Sequence, residues 1–402
     1  MIARAPYLFL LLILIPDLYL DLRYWRNQLS TSKRILRWLP SFFMVGYTLK
    51  LAFEPNFIPD DPNVIYIYLL LLGLLVVPKA VYMLCSMTGL GFSLLLHKKN
   101  VSPTPDSLQT KSRRNYGNLI GLMSVPVIWY IVLYGSFIGF QKMEVNRQTY
   151  ASKDLPKAFD NYKIALFSDA HVGSYTEGNQ WILQRMVDSI NAQKPDMIVF
   201  TGDLLNTQPQ DLYRHMDILS RLKAKDGVFS ILGNHDYAEY IAGDDIKKRA
   251  NCKETISLER QLGWTLLLNE NREIKRGESR IILAGMENDG DGKHFPQKGN
   301  VQQALSNVKE GDFILMLEHD PSAWRRKIIP DGRSQLTLSG HTHSMQFSIF
   351  GWCPMSVTGK EYCGWYNEGS QSLFVTAGLG GLIPFRFGAT GEIVIITLHT
   401  AR

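Results

Sequence analysis

The 402-residue sequence predicts an α/β sandwich of two mixed sheets flanked by helices, preceded by an all-α transmembrane bundle. Three observations carry that reading. Four long apolar runs occupy the first 140 residues with almost no polar alternation. From Tyr162, short apolar runs alternate with segments of helical spacing, as in βαβ units, and then give way to strand-rich sequence. Five of the short runs end at a turn carrying Asp, Asn or His.

Composition divides the chain in the same place. Residues 1–160 hold 17 Lys and Arg against 9 Asp and Glu, whereas residues 161–402 hold 26 against 28. The net charge of +6 therefore belongs to the first part. Its basic residues sit beside apolar segments, so lipid headgroups and membrane orientation explain them, and nucleic acid is not expected as a partner. Four cysteines are too few for a disulfide scaffold; Cys353 and Cys363 bracket a short Gly-containing stretch and could pair in an oxidising compartment.

In order, residues 1–16 read as an uncleaved first span, because the bulky, acidic Asp17–Asp21 offers no small-residue cleavage site. Trp38–Phe53 is a marginal second span. Val64–Leu96 exceeds one membrane thickness and contains Pro78-Lys79; it reads as one span to about Leu84 plus a packed continuation. Asn118–Phe140 is the cleanest, 23 residues without a charge. The loops after the first and third spans each carry five Lys and Arg and the second carries none. With four spans, this places residues 141–402 outside the cytoplasm, on a multi-pass protein of the cytoplasmic membrane. If Pro78-Lys79 split the third run, the count would be five and the domain would face inward. The domains are then 1–141 in the membrane, 142–160 a linker, and 161–402 catalytic.

Within the catalytic part, strands are expected at 164–168, 197–201 and 228–232, then at 265–268, 280–286, 313–317, 336–338, 373–376 and 393–398. Helices are expected over Asn179–Gln193 and Leu212–Leu222. Ser348–Gly369 reads as a loop or hairpin beside the last His pair. Open sheets bind ligands at the carboxyl ends of their strands. There the sequence places Asp169-Ala170-His171, Gly202-Asp203, Gly233-Asn234-His235-Asp236, Glu318-His319-Asp320 and Gly340-His341-Thr342-His343. One His after a strand is ordinary; five of the nine histidines in such positions are not. Asp, His and Asn together select first-row divalent metals such as Mn, Fe or Zn. Asp169, His171, Asp203, Asn234, His319, His341 and His343 are too many donors for one tetrahedral ion and suit two ions sharing a carboxylate. Two such ions activate water and neutralise phosphoryl oxygens. His235, between two ligand-like residues, suits proton donation to a leaving oxygen.

This set of motifs, in this order and spacing, resembles the calcineurin-like metallophosphoesterases across residues 161–402. The resemblance implies a four-layer α/β-β/α sandwich and a dinuclear centre. It implies one ion held by Asp169, His171, Asp203 and His343. The other is held by Asp203, Asn234, His319 and His341, with Asp203 bridging. His235 is then the catalytic imidazole and Asp236 orients it. Gly378-Leu379-Gly380 with Pro384 and Arg386 resembles the bacterial membrane-anchored branch. Many of that branch have Gly-Gly-Gln after the last His; here Ser344-Met345-Gln346 stands instead.

The expected function is a membrane-anchored, metal-dependent phosphoesterase acting on a phosphate ester or pyrophosphate bond. A lipid-linked or envelope substrate, with membrane lipids as surroundings, suits the anchor. The alternatives are a catalytically silent scaffold and a transport or signalling role for the bundle. Every ligand position is filled, which argues against the first. The spans hold little charge beyond Lys50 and Lys79, which argues against the second.

Overall fold

The structure, a computed structural model, describes residues 5–54, 57, 59, 61–98, 115–241 and 243–401. The chain forms two compact units, Met1–Ser136 and Phe137–Arg402.

The first unit is helical. Its helices are α1 (Ala5–Leu20), α2 (Thr31–Ala52), α3 (Pro62–Leu71), α4 (Val77–Lys98) and α5 (Tyr116–Tyr134). A π-turn, Leu72–Val76, joins α3 to α4, so the third apolar run is one continuous helix that Pro78 does not divide. By length and composition, Pro62–Ser93 and Tyr116–Gly139 can each cross a membrane. Large apolar side chains such as Leu8, Phe43, Leu122 and Met123 point outward, as lipid-facing positions do. Gly117 and Gly121 allow α5 to press against α4: a Cβ at Gly117 would lie 1.9 Å from the Cys85 carbonyl oxygen.

The first helix runs past the expected end at residue 16, and this brings Asp17 inside the bundle. Asp17 is fully buried and receives the Lys79 ammonium at 2.9 and 2.7 Å. Ser41 Oγ donates to the same carboxylate and accepts from Lys79 at 2.7 Å. A charged pair removed from water needs such partners to be tolerated. Asp17 was outside the expected first span, so the bundle interior carries more charge than its sequence suggested. Asp17, Ser41 and Lys79 each follow a proline within a helix. Pro78 has no N–H for the Leu74 carbonyl, which accepts from Trp129 Nε1 at 2.9 Å instead.

The second unit has two six-stranded sheets. The first holds β1 (Met143–Ser152), β2 (Tyr162–Phe167), β3 (Met197–Phe200), β4 (Val228–Ser230), β5 (Thr265–Leu266) and β12 (Gly391–Thr400), in the order β1-β12-β2-β3-β4-β5. The second holds β6 (Glu270–Arg276), β7 (Ser279–Gly285), β8 (Ile314–Leu317), β9 (Leu336–Ser339), β10 (Gly364–Glu368) and β11 (Gln371–Val375), in the order β10-β11-β9-β8-β7-β6. Alternation along each strand sends one set of side chains between the sheets and the other toward helices. Ile164, Leu166 and Val199 meet Leu283, Leu315 and Leu338 in the central layer. Ala165, Phe167 and Phe200 pack against Leu183, Met186, Val187 and Ile190 of the helix Trp181–Ala192. Trp324 and Val301 cover the outer face of the other sheet. Helix, sheet, sheet and helix make the expected four layers.

Three local expectations change. Met143–Ser152 is not a linker but an edge strand, paired in parallel with β12 from Met143–Gly391 to Ser152–Thr400. Its polar, charge-bearing sequence hid the alternation, because only one side of an edge strand is buried. Leu212–Leu222 contains two short turns, Gln210–Tyr213 and Met216–Leu219, rather than one helix. A helix that polarity concealed spans Asp245–Gln261, capped by Asp244 accepting from the Lys247 amide at 2.9 Å.

Candidate metal centre

β2, β3 and β4 run parallel, and so do β8 and β9. Their carboxyl ends deliver Asp169 and His171, Asp203, Asn234 and His235, His319, and His341 and His343 to one place. Asp169, His171, Asp203, His341 and His343 all have left-handed backbones, with φ from 44° to 75°. Such conformations cost free energy in non-glycine residues and persist only where surrounding bonds impose them. Those bonds are present: Asp169 N donates to the Gly202 carbonyl (2.9 Å), His171 N to the Asp203 carbonyl (3.1 Å) and His341 N to the Asp169 carboxylate (3.0 Å). The motif glycines admit this closeness. A Cβ at Gly233 would lie 2.2 Å from Asp203 Oδ1, and one at Gly340 would lie 2.3 Å from Asp169 Oδ2.

Two groups of donor atoms result. In Asp169, His171, Asp203 and His343 the donors lie within 4.8 Å of one another, and the same holds for Asp203, His319 and His341. Asn234 Oδ1 joins the second group, 3.2 Å from His319 Nε2 and 2.9 Å from His341 Nδ1. Asp203 belongs to both. The imidazoles are aimed by carbonyls, which can only accept: His171 Nδ1 donates to Leu205 (2.9 Å) and His319 Nδ1 to Thr201 (2.7 Å). Their Nε2 atoms therefore face inward. His171 Nε2 lies 3.2 Å from His343 Nε2, and His319 Nε2 lies 3.2 Å from an Asp203 oxygen.

Burial dominates the charges of these groups. It pushes Asp169 up to about 6 and His171 down to about 3. It would lower His319 as well, but Asp203 and Asp169 beside it hold that imidazole up to about 10. The protonated His319 therefore pairs with Asp203, while His171 Nε2 and His343 Nε2, both neutral, turn lone pairs toward one another at 3.2 Å beside the carboxylates. A divalent cation resolves that arrangement, since it stabilises the carboxylates and bonds neutral imidazole. The donor set, carboxylate, amide oxygen and imidazole without thiolate, suits a first-row ion.

The other two predicted residues sit differently from each other. His235 projects beside the first group, edge-on to His171 with ring centroids 5.0 Å apart. Its Nδ1 donates to the Asn206 carbonyl at 2.6 Å. Asp236 was expected to orient that imidazole. Instead both its oxygens accept backbone amides: Asp203 (2.8 Å) and Gly233 (2.9 Å) on one, Leu204 (2.9 Å) and Leu205 (3.0 Å) on the other. The carboxylate fixes the turn that carries Asp203, and the Asn206 carbonyl holds His235.

Several neighbours were not foreseen. Tyr240 Oη accepts from Asn234 Nδ2 at 3.0 Å and so turns Oδ1 inward. Asp320 lies 3.5 Å from His341 Nε2, and the Phe295 ring meets His341 edge-on at 5.3 Å. Asp320 stands next to His319 in sequence and could have been suspected; Asn206, Tyr240 and Phe295 carry no local signal. Arg386 is buried and donates to the carbonyls of Ala377, Gly378, Gly380 and Ala389, so it staples the loop behind Asp169. Cys353 and Cys363 are free thiols, and Cys353 Sγ donates to the Ser344 carbonyl.

Comparison with known proteins agrees with this architecture. Residues 162–345 match the family "Calcineurin-like phosphoesterase", and residues 2–140 match "Probable Calcineurin-like phosphoesterase, transmembrane domain". The metallophosphoesterase YkuE of Bacillus subtilis is 32% identical over 275 residues, 66% of this chain and 89% of that protein. A zebrafish (Danio rerio) transmembrane protein with metallophosphoesterase domain is 27% identical over 291 residues, 70% of this chain and 63% of that protein. The solved phosphopantetheinyl hydrolase of Mycobacterium tuberculosis aligns with a TM-score of 0.37 at 10% identity, covering 56% of this chain and 91% of that one. From its donor cluster at the strand ends to its similarity to YkuE along most of that protein, the chain belongs to the calcineurin-like metallophosphoesterases, with a membrane domain of the type that accompanies them.

Proposed function

We propose that the protein is a membrane-held dinuclear-metal hydrolase of a phosphate ester or pyrophosphate bond, with its catalytic domain outside the cytoplasm. The observation that carries this reading is Asp203, a carboxylate shared by two convergent donor groups with a free-edged imidazole, His235, alongside. Asp169, His171, Asp203 and His343 would hold one ion, and Asp203, Asn234, His319 and His341 the other. When bound, the pair supplies Lewis acidity toward water and the phosphoryl oxygens.

The chain's own residues do the rest. The Leu205 and Thr201 carbonyls engage Nδ1 of His171 and His319, so their Nε2 atoms face the cluster. Tyr240 keeps the Asn234 oxygen inward. His235 cannot offer Nδ1, which the Asn206 carbonyl occupies, so Nε2 is the atom that hands a proton to the leaving oxygen. Asp236 keeps the turns of Asp203 and His235 at fixed separation through its four amide partners. The test is hydrolysis of nitrophenyl phosphate by the purified protein. Chelation should abolish it and Mn should restore it; undiminished hydrolysis by metal-free protein would overturn the reading.

A further inference from the structure

We infer that two charge-free loops beside His343 form an apolar rim that receives the hydrocarbon tail of an amphiphilic phosphate, whose phosphate lies in the metal cluster. This rests on the phosphoesterase reading above and adds the substrate class.

The loops are residues 344–359 and 377–385, neither of which contains Asp, Glu, Lys or Arg. Loops of a water-facing domain are ordinarily polar, and large exposed apolar side chains grouped together mark contact with apolar partners. Here Phe350 is 106% exposed, Val357 75%, Met345 52%, Trp352 51%, Leu382 40% and Ile383 37%. The two loops behave as one piece. Gln346 Nε2 donates to the carbonyls of Ile383 (2.9 Å) and Phe385 (2.5 Å). Ser348 N donates to the Phe387 carbonyl at 2.7 Å, and the Phe347 and Phe387 rings stack with centroids 5.9 Å apart.

That piece is joined to the metal-binding loops. Met345 follows His343 by two residues. Leu379 N donates to the Ser168 carbonyl and Gly380 N to the Asp169 carbonyl, both at 2.9 Å. Ser174 Oγ donates to the Gly381 carbonyl at 2.8 Å. The loops that carry the apolar side chains are thus hydrogen-bonded directly to the segment that carries Asp169 and His171.

The backbone gives an independent indication. Ser344, Met345 and Gln346 are consecutive left-handed residues, φ 48°, 52° and 55°. Glycine adopts this conformation freely, whereas residues with a Cβ adopt it at a cost. The strained turn thus carries an exposed apolar side chain, Met345, two residues from His343. Strain kept at a site is a pointer to use. A hydrocarbon tail is the occupant favoured over a second copy or another protein. The loops bear no charge for a polar partner to pair with, and the same chain carries a membrane domain where such amphiphiles are held.

The test is inhibition of nitrophenyl phosphate hydrolysis by ethyl phosphate and dodecyl phosphate, using the full-length protein with Mn. Dodecyl phosphate, below its aggregation concentration, should inhibit at least about tenfold more tightly. Phe350→Ser with Trp352→Ser should remove most of that difference, as should Leu382→Ser with Ile383→Ser. Inhibition by ethyl phosphate, which has no tail to place there, reports an intact site. Equal inhibition by both phosphates, or a chain-length preference unchanged in both variants, would overturn the proposal. So would variants that only lose self-association, which would assign the rim to a second copy. Absent hydrolysis of nitrophenyl phosphate by the parent protein would instead overturn the underlying phosphoesterase reading, and this inference with it.

Discussion

Asp236→Ala separates two roles for a carboxylate beside the imidazole we propose as catalytic, His235. If Asp236 orients His235, the substitution lowers turnover and leaves the fold intact. The structure gives it other work: four buried amides, of Asp203, Leu204, Leu205 and Gly233, end on its two oxygens at 2.8–3.0 Å. Burial and the neighbouring Asp203 charge push its carboxyl up to about 7, against the pull of the Leu205 and Gly233 amides. Above about pH 8, where this carboxyl is ionised, hydrogen bonds to a charged acceptor contribute about 1.5 kcal/mol each at the low end, so losing four costs about 6 kcal/mol. That is a large part of a typical domain stability of about 5–15 kcal/mol. At about 2–4 °C per kcal/mol, the catalytic domain should melt about 12–24 °C lower. His235→Ala loses one bond, to the Asn206 carbonyl, and should shift melting by only about 2–6 °C. Thermal unfolding of the full-length protein in detergent, followed by near-ultraviolet circular dichroism, measures both. Asp236→Ala melting within about 3 °C of the parent, with turnover lost as in His235→Ala, would refute the argument and restore the orienting role.

Other outcomes follow from the same geometry. His235→Ala should lower turnover by about two to four orders of magnitude with metal content near normal, whereas Asp203→Ala should lose metal because its carboxylate belongs to both groups; near-parental turnover of His235→Ala would remove it from the mechanism. Ser344→Gly should stabilise the protein by about 1 kcal/mol, read as a higher urea midpoint, because it relieves a left-handed backbone at a residue that carries a Cβ; an unchanged or lower midpoint would show that the turn is not strained. A reporter fused after Arg402 that works only outside the cytoplasm should be active on the proposed topology, in which the third apolar run crosses once as a single helix through Pro78. An inactive reporter, with a cytoplasmic fusion that works, would invert the topology.

Much of the site was legible because its causes are local. A buried parallel strand must be a short apolar run, its ligand must follow immediately, and glycine must stand where a Cβ would strike a carboxylate, as at Gly233 and Gly340. Each requirement is met within a few consecutive residues, so Asp169, His171, Asp203, Asn234, His319, His341 and His343 could be picked out together. The two sheets flanked by helices followed from the order of strand-like and helix-like runs, and the four-layer arrangement from the family resemblance. Other features depend on residues far apart in the chain. β1 is a strand because Gly391–Thr400 lies beside it. Asp236 serves the Asp203 turn, not its neighbour, because four amide donors from two loops outweigh adjacency. Tyr240, Asn206 and the Asp17–Lys79 pair likewise act through contacts that no window of sequence contains. Hydrogen bonds in a buried space are assigned by which donors and acceptors the fold brings within 3 Å, and that pairing exists only once the sheets and helices have closed on one another.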